Sequence, residues 1–162
     1  MKSVLISINP PHTTNIFEKL KCIEWRTKPV PIGKCFCYET KKCFGMGKVI
    51  GEFKISHVER YENISVIPED IISSGYVQSD FLEAYSKGRP LYAHFIKKTK
   101  KYDVPKELSE FYTVCEMNCE HCEMWGYTRV NAEEFDMDCK SDWFNHKPLK
   151  RPPVSWCYVE SQ

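Results

Sequence analysis

No run of apolar residues in this chain is long enough to span a membrane, and the first residues lack the apolar core of a signal peptide. They enter a strand pattern at once. Neither charge is in surplus: 23 basic residues face 22 acidic ones, so no global field advertises nucleic acid. Any basic surface has to be local. Internal repeats, low-complexity segments and a regular β-α-β alternation are also missing, which argues against a doubly wound nucleotide fold. Together these absences predict a cytoplasmic protein with no membrane partner. Without an export signal, the nine cysteines read as reduced thiols or metal ligands, not as a disulfide framework. The Asn63-Ile64-Ser65 glycosylation pattern is then chance.

What is present suits one domain over residues 1–162, a length sufficient for a proper core. Val4, Ile6 and Ile8 alternate with Leu5, Ser7 and Asn9, the period of a strand, and Pro10-Pro11 stops it. Thr13, Thr14 and Asn15 offer caps for a short helix whose stripe is Ile16, Phe17 and Leu20. Further strands are expected at Cys35–Tyr38 and at Lys48–Val58, the latter with Val49, Phe53 and Ile55 on one face. Pro68 with Glu69 and Asp70 marks a helix start. Ser79 is expected to cap a second helix, carrying Phe81, Leu82 and Tyr85, that ends at Gly88. Tyr92–Ile96 reads as a strand running into a basic tail, Lys97–Lys101. A helical piece near Glu107–Phe111 and a last strand at Trp156–Val159 complete the pattern. Several strands with a few short helices predict an α+β domain on a small curled β-barrel.

The stretch from Lys19 to Arg26, Lys-Leu-Lys-Cys-Ile-Glu-Trp-Arg, organises the rest. As a strand it points Ile23 and Trp25 to a core and Glu24 and Arg26 the other way, with Lys21 at the entrance. The same pattern is that of a solvated strand face bearing a surface ion pair, worth little. Arginine grips phosphate or carboxylate with two parallel hydrogen bonds, lysine is a movable point charge, and a glutamate can orient the arginine or accept from a base or sugar. The three could hold one nucleotide-sized ligand.

The order Val4–Pro10, helix, Lys21-x-x-Glu24-x-Arg26 resembles the start of the ASCH family, small domains related to the PUA RNA-binding fold. The resemblance continues through Val49–Phe53, Pro68–Ile71, Ser79–Phe81 and Tyr92–Ile96 to Pro152-Pro153-Val154-Ser155-Trp156. It covers most of residues 3–100 and the last dozen. It implies a cleft at Lys21, Glu24 and Arg26 that binds RNA, a nucleotide or a nucleoside, with Ser7, Asn9, Tyr38 and Ser155 adding hydrogen-bonding groups. A related branch hydrolyses acetylated cytidine nucleosides with a lysine, a threonine and an acid. Lys21 matches the lysine, but Glu24 stands at the threonine and the acid falls near Ser74, so that route lacks its nucleophile. An enzyme here would use Lys21 with Glu24 as catalytic groups. A ribonuclease, which some ASCH-like proteins resemble, stays open.

Cys115-x-x-x-Cys119-x-x-Cys122 has the spacing of a radical-enzyme iron–sulfur motif, yet only 40 residues follow it, too few for the barrel such enzymes need. A zinc site fits better, with Cys139, His146 or His121 as fourth ligand and Cys139 preferred. It would order an insertion at 112–146. The alternatives are free cysteines in a surface excursion, or an interaction protein that works through this insertion.

Overall fold

The computed structural model describes residues 3–113 and 148–161. The apolar alternation at the start forms β1 (Ser3–Ile8) and the proline pair ends it. A one-and-a-half-turn helix, α1 (His12–Phe17), leads to β2 (Ile23–Arg26). After the proline-stiffened loop come β3 (Gly33–Glu39) and β4 (Lys48–Tyr61). Two short helices, α2 (Glu69–Ser74) and α3 (Ser79–Ser86), precede the long β5 (Leu91–Lys106), and β6 (Phe111–Thr113) and β7 (Trp156–Ser161) finish the chain.

All seven strands form one mixed sheet in the order β2-β5-β4-β3-β1-β7-β6, with β1 and β3 parallel and the other pairs antiparallel. Four steps of pairing separate β2 from β1, about 19 Å in a flat sheet at ~4.8 Å per step. Yet the Arg26 guanidinium on β2 reaches the carbonyl of Ser7 on β1. The sheet is therefore strongly curled. Among the described residues its end strands, β2 and β6, are not paired with each other.

Inside the curl, Val4, Ile6 and Ile8 of β1 pack with Ile16 of α1, Cys35 and Cys37 of β3, Phe53 and Ile55 of β4 and Ile96 of β5. Outside it lie two smaller cores. Ile23, Trp25, Leu91 and Ala93 pack under Ile72 of α2 and Leu82 of α3, and Leu5, Phe36, Tyr38 and Val49 pack with Phe111 and Val159.

Several local expectations need correction. Val49 does not share a face with Phe53 and Ile55, because the register of β4 shifts between Val49 and Gly51 and sends Val49 to the outer core while Ile50 faces inward. None of the residues offered as a cap for α1 serves: Pro11 is the N-cap, and Thr13 spends its hydroxyl on Glu39 of β3. Leu20 lies beyond the helix and is half exposed. Ser79 is the first helical residue of α3, after Gln78, and the chain turns left-handed at Lys87 before Gly88. Lys97–Lys101 is no tail; it is the middle of β5. Of the expected insertion, Tyr112 and Thr113 belong to β6. Its remainder, with Cys115, Cys119, His121, Cys122, Cys139 and His146, lies outside the described residues. Among the described residues, no helix is long and apolar enough to cross a membrane.

Candidate functional site

The strand alternation expected for β2 holds, but the charged face is not solvated. Ile23 and Trp25 enter the outer core under α2 and α3, while Glu24 and Arg26 face into the curl. Glu24 is 7% exposed and Lys21 only 2%. Lys21 stands in the loop after α1, where the main-chain N–H groups of Leu20 and Lys21 both donate to the carbonyl of Asn15. That anchor turns the Lys21 side chain inward. Its ammonium donates to the carbonyl of Gly75 at 2.7 Å and lies 3.4 Å from the Glu24 carboxylate. The other carboxylate oxygen accepts from Arg26 Nε at 3.0 Å. Arg26 Nη2 donates to the Ser7 carbonyl at 2.5 Å. The glutamate thus sits between two cations, and the cluster keeps one surplus positive charge.

Gly75 ends α2 against the indole of Trp25. A Cβ at that position would lie 2.2 Å from Trp25 Nε1, so only glycine lets the chain come close enough for its carbonyl to meet Lys21. The lysine therefore has an acceptor because a glycine stands 54 residues downstream.

Electrostatics follow from this burial. Burial alone would raise the Glu24 carboxyl, but Lys21 and Arg26 overcome it and hold the group below the usual carboxylate range. Burial pushes the Lys21 ammonium down, only partly offset by Glu24. The cluster also includes a group the sequence did not advertise. His12, which opens α1, feels Lys21, Glu24 and Arg26, and burial followed by the Lys21 charge lowers its pKa. Its Nδ1 is buried and has no hydrogen-bond partner among the described residues. Its ring lies 6.2 Å from that of Phe81 on α3, which is half exposed.

A second histidine holds the frame. His94 on β5 is fully buried: Val30 N–H donates to its Nε2 at 2.8 Å, so the proton is on Nδ1, which donates to the Glu24 carbonyl at 3.0 Å. This neutral imidazole fixes the main chain of β2 at the residue whose side chain organises the cluster. Its place among alternating apolar residues, Tyr92-Ala93-His94-Phe95-Ile96, was the available signal for burial.

The other expected ligand groups divide. Ser7 meets the cluster through its carbonyl, while its hydroxyl donates to the Pro153 carbonyl at 2.7 Å. Ser155 is adjacent through the main chain, its carbonyl accepting from Ser7 N–H. Asn9 accepts from the Thr40 hydroxyl at 2.6 Å, tying β1 to the turn after β3. Tyr38 is buried in the outer core with Phe36 and Phe111, on the face of β3 away from Arg26. Among the described residues no set of three or more His, Cys, Asp or Glu side chains is arranged to hold a metal ion.

No protein-family model matches the sequence, and no curated protein matches it. Solved structures do. The crystal structure of ASCH from Zymomonas mobilis is similar to 98% of this chain and 88% of its own, with a TM-score of 0.63 at 15% identity. A tyrosine-to-phenylalanine variant and a serine-to-alanine variant of that protein match at the same score and identity, over 99% and 98% of this chain and 91% and 89% of theirs. At that identity the likeness speaks of architecture, and it spans nearly the whole of both chains: this chain has the ASCH fold.

Proposed function

We propose that this domain binds RNA or a nucleotide in the cluster of His12, Lys21, Glu24 and Arg26, with the curled sheet acting as the PUA-like barrel that the sequence resemblance implies. The observation that carries the reading is the buried Nδ1 of His12, partnerless among the described residues, beside a cluster with one surplus positive charge. A buried polar nitrogen left unpaired costs about 1–3 kcal/mol. A ligand acceptor or donor placed there would remove that cost, and a phosphate would meet the net charge. Half-exposed Phe81 beside His12 gives a base or sugar an apolar neighbour.

The hydrolase alternative has less support. Glu24 offers no hydroxyl to attack an acyl carbon and is committed to two cations. The Ser74 hydroxyl donates back to Asp70 within α2, and the Thr13 hydroxyl is held by Glu39.

Calorimetric titration with nucleoside monophosphates and short single-stranded RNA tests the reading. Arg26→Lys keeps the charge but not the two-pronged geometry, and His12→Phe keeps the ring but not the nitrogen. Each should weaken binding at least about tenfold, while Lys98→Ala leaves nucleotide affinity unchanged. Unaltered affinity in both variants, with urea midpoints showing them folded, would overturn it.

A further inference from the structure

The lysines of β5 read in the sequence as a basic tail, and the sheet register gives them a different arrangement. Lys34 of β3 lies directly opposite Lys54 of β4, and Lys54 directly opposite Lys97 of β5. Directly opposed residues share a face, so three lysines form a row across three strands, roughly 10 Å long at two strand spacings. Simple alternation would place Lys97 and Lys100 on opposite faces. The register instead shifts between Glu52 and Lys54, with Lys98 left-handed at φ 53°, so that Lys100 pairs with Glu52. Lys100 thereby joins the face of the row.

That face is the outer one, turned away from Arg26, since Phe53 and Ile55 on either side of Lys54 point into the curl. Its acid is Glu52, already engaged by the Lys34 ammonium at 2.9 Å and the Tyr102 hydroxyl at 2.6 Å. Among the described residues, four lysines against one carboxylate leave three positive charges in excess. Like charges directly opposite each other destabilise a sheet, and here a bulge with a non-glycine residue at positive φ adds a further one.

We infer that this outer face of β3, β4 and β5 is a second binding surface, which takes the phosphodiester backbone of a single-stranded nucleic acid. Charge complementarity identifies a polyanion. A membrane surface fits less well, because Phe36 beside the row is buried, and the exposed Val104 farther along β5 is a small aliphatic group. Lysines without base-reading partners contact phosphate and not sequence, so RNA and DNA strands should bind this face alike. The inference does not rest on the cluster around Arg26.

Fluorescence anisotropy of a labelled oligouridine, titrated with the full chain at salt from about 50 to 200 mM, reads the contacts directly, since each phosphate neutralised on a single strand contributes about 0.7 to the slope of log K against log salt. Lys54→Ala and Lys97→Ala should each make the slope shallower by about 0.7, and the double variant by about 1.4. Lys87→Ala, on α3's end, should leave it unchanged. Urea midpoints of the variants should not fall, because opposed like charges are being removed. Arg26→Lys should weaken mononucleotide binding without changing the share of the slope due to Lys54 and Lys97, which separates the two sites. A slope unaltered in the double variant, or tighter binding to phosphatidylserine vesicles than to oligouridine, would overturn the inference.

Discussion

Replacing Glu24 with glutamine perturbs the cluster where its energetics are steepest. The side chain keeps its shape and one acceptor oxygen but loses its charge, and the two cations at 3.4 and 3.0 Å then face each other with no anion between them. With an effective dielectric constant near 20, a unit pair at such a distance attracts by about 5 kcal/mol, so roughly 10 kcal/mol of gross attraction is removed. Desolvation of the carboxylate, no longer required, returns part of this. Breaking a buried ion pair by neutralising one member costs a net ~3–5 kcal/mol, and with two partners on Glu24 the upper end is expected. At about 2–4 °C per kcal/mol for a domain of this size, the melting temperature should fall by roughly 6–20 °C.

Urea unfolding at pH 7 measures the loss as a lower midpoint with unchanged m. The double variant Lys21→Met/Glu24→Gln removes one of the stranded cations, so it should be more stable than the sum of the two single losses predicts. The wild type carries a matching pH signature. Because the folded pKa of Glu24 is depressed, its stabilisation is complete above the unfolded carboxylate value, about 4.3, and is lost as pH falls through the folded value. Glu24→Gln lacks that part of the acid transition. A Glu24→Gln loss within about 0.5 kcal/mol, the range of ordinary surface changes, would refute the claim that the cluster is one electrostatic unit.

His94 and His12 both have pKa values lowered first by burial, so the unfolded chain takes up protons before the folded one. Stability should fall as pH drops below about 6.5, by up to ~1.4 kcal/mol per pH unit for each histidine. Urea midpoints between pH 7 and 5 should show that slope, roughly halved in His94→Asn, and a flat wild-type profile would refute it. The cysteine spacing predicts about one zinc per chain, read by elemental analysis of purified protein. A metal-free protein whose Cys115, Cys119, Cys122 and Cys139 all react freely with a thiol reagent would remove that site.

Where an apolar alternation repeats strictly, the fold was legible. Val4, Ile6 and Ile8 share the inner core as their spacing demands, and Ile23 and Trp25 oppose Glu24 and Arg26. Period-two reasoning fails at a bulge, because one extra residue exchanges the faces on either side of it. The shift near Ile50 moved Val49 to the outer core, and the shift near Lys98 brought Lys100 onto the face that Lys34, Lys54 and Lys97 share. Neither position carries a composition cue. Gly51 is the nearest glycine to the first, and it is small for a separate reason: a Cβ there would strike Phe17 and the Lys100 carbonyl.

The cluster was half legible for a deeper reason. Its charged members lie within six residues, so their types and spacing could be read from the chain. Their burial could not, because it depends on acceptors that carry no side-chain signature. Lys21 ends on the carbonyl of Gly75, Arg26 on that of Ser7, and His94 on that of Glu24. Every residue has a main-chain carbonyl, so these partners are chosen by where the folded chain passes, not by what it is made of. A lysine and an arginine in water need neither acceptor. Inside the curl both acceptors are required, because an unpaired buried cation costs more than the pair with Glu24 returns. The solvated-strand reading of Lys21, Glu24 and Arg26 therefore fails on long-range main-chain geometry, and the same geometry leaves the His12 Nδ1 without a partner among the described residues.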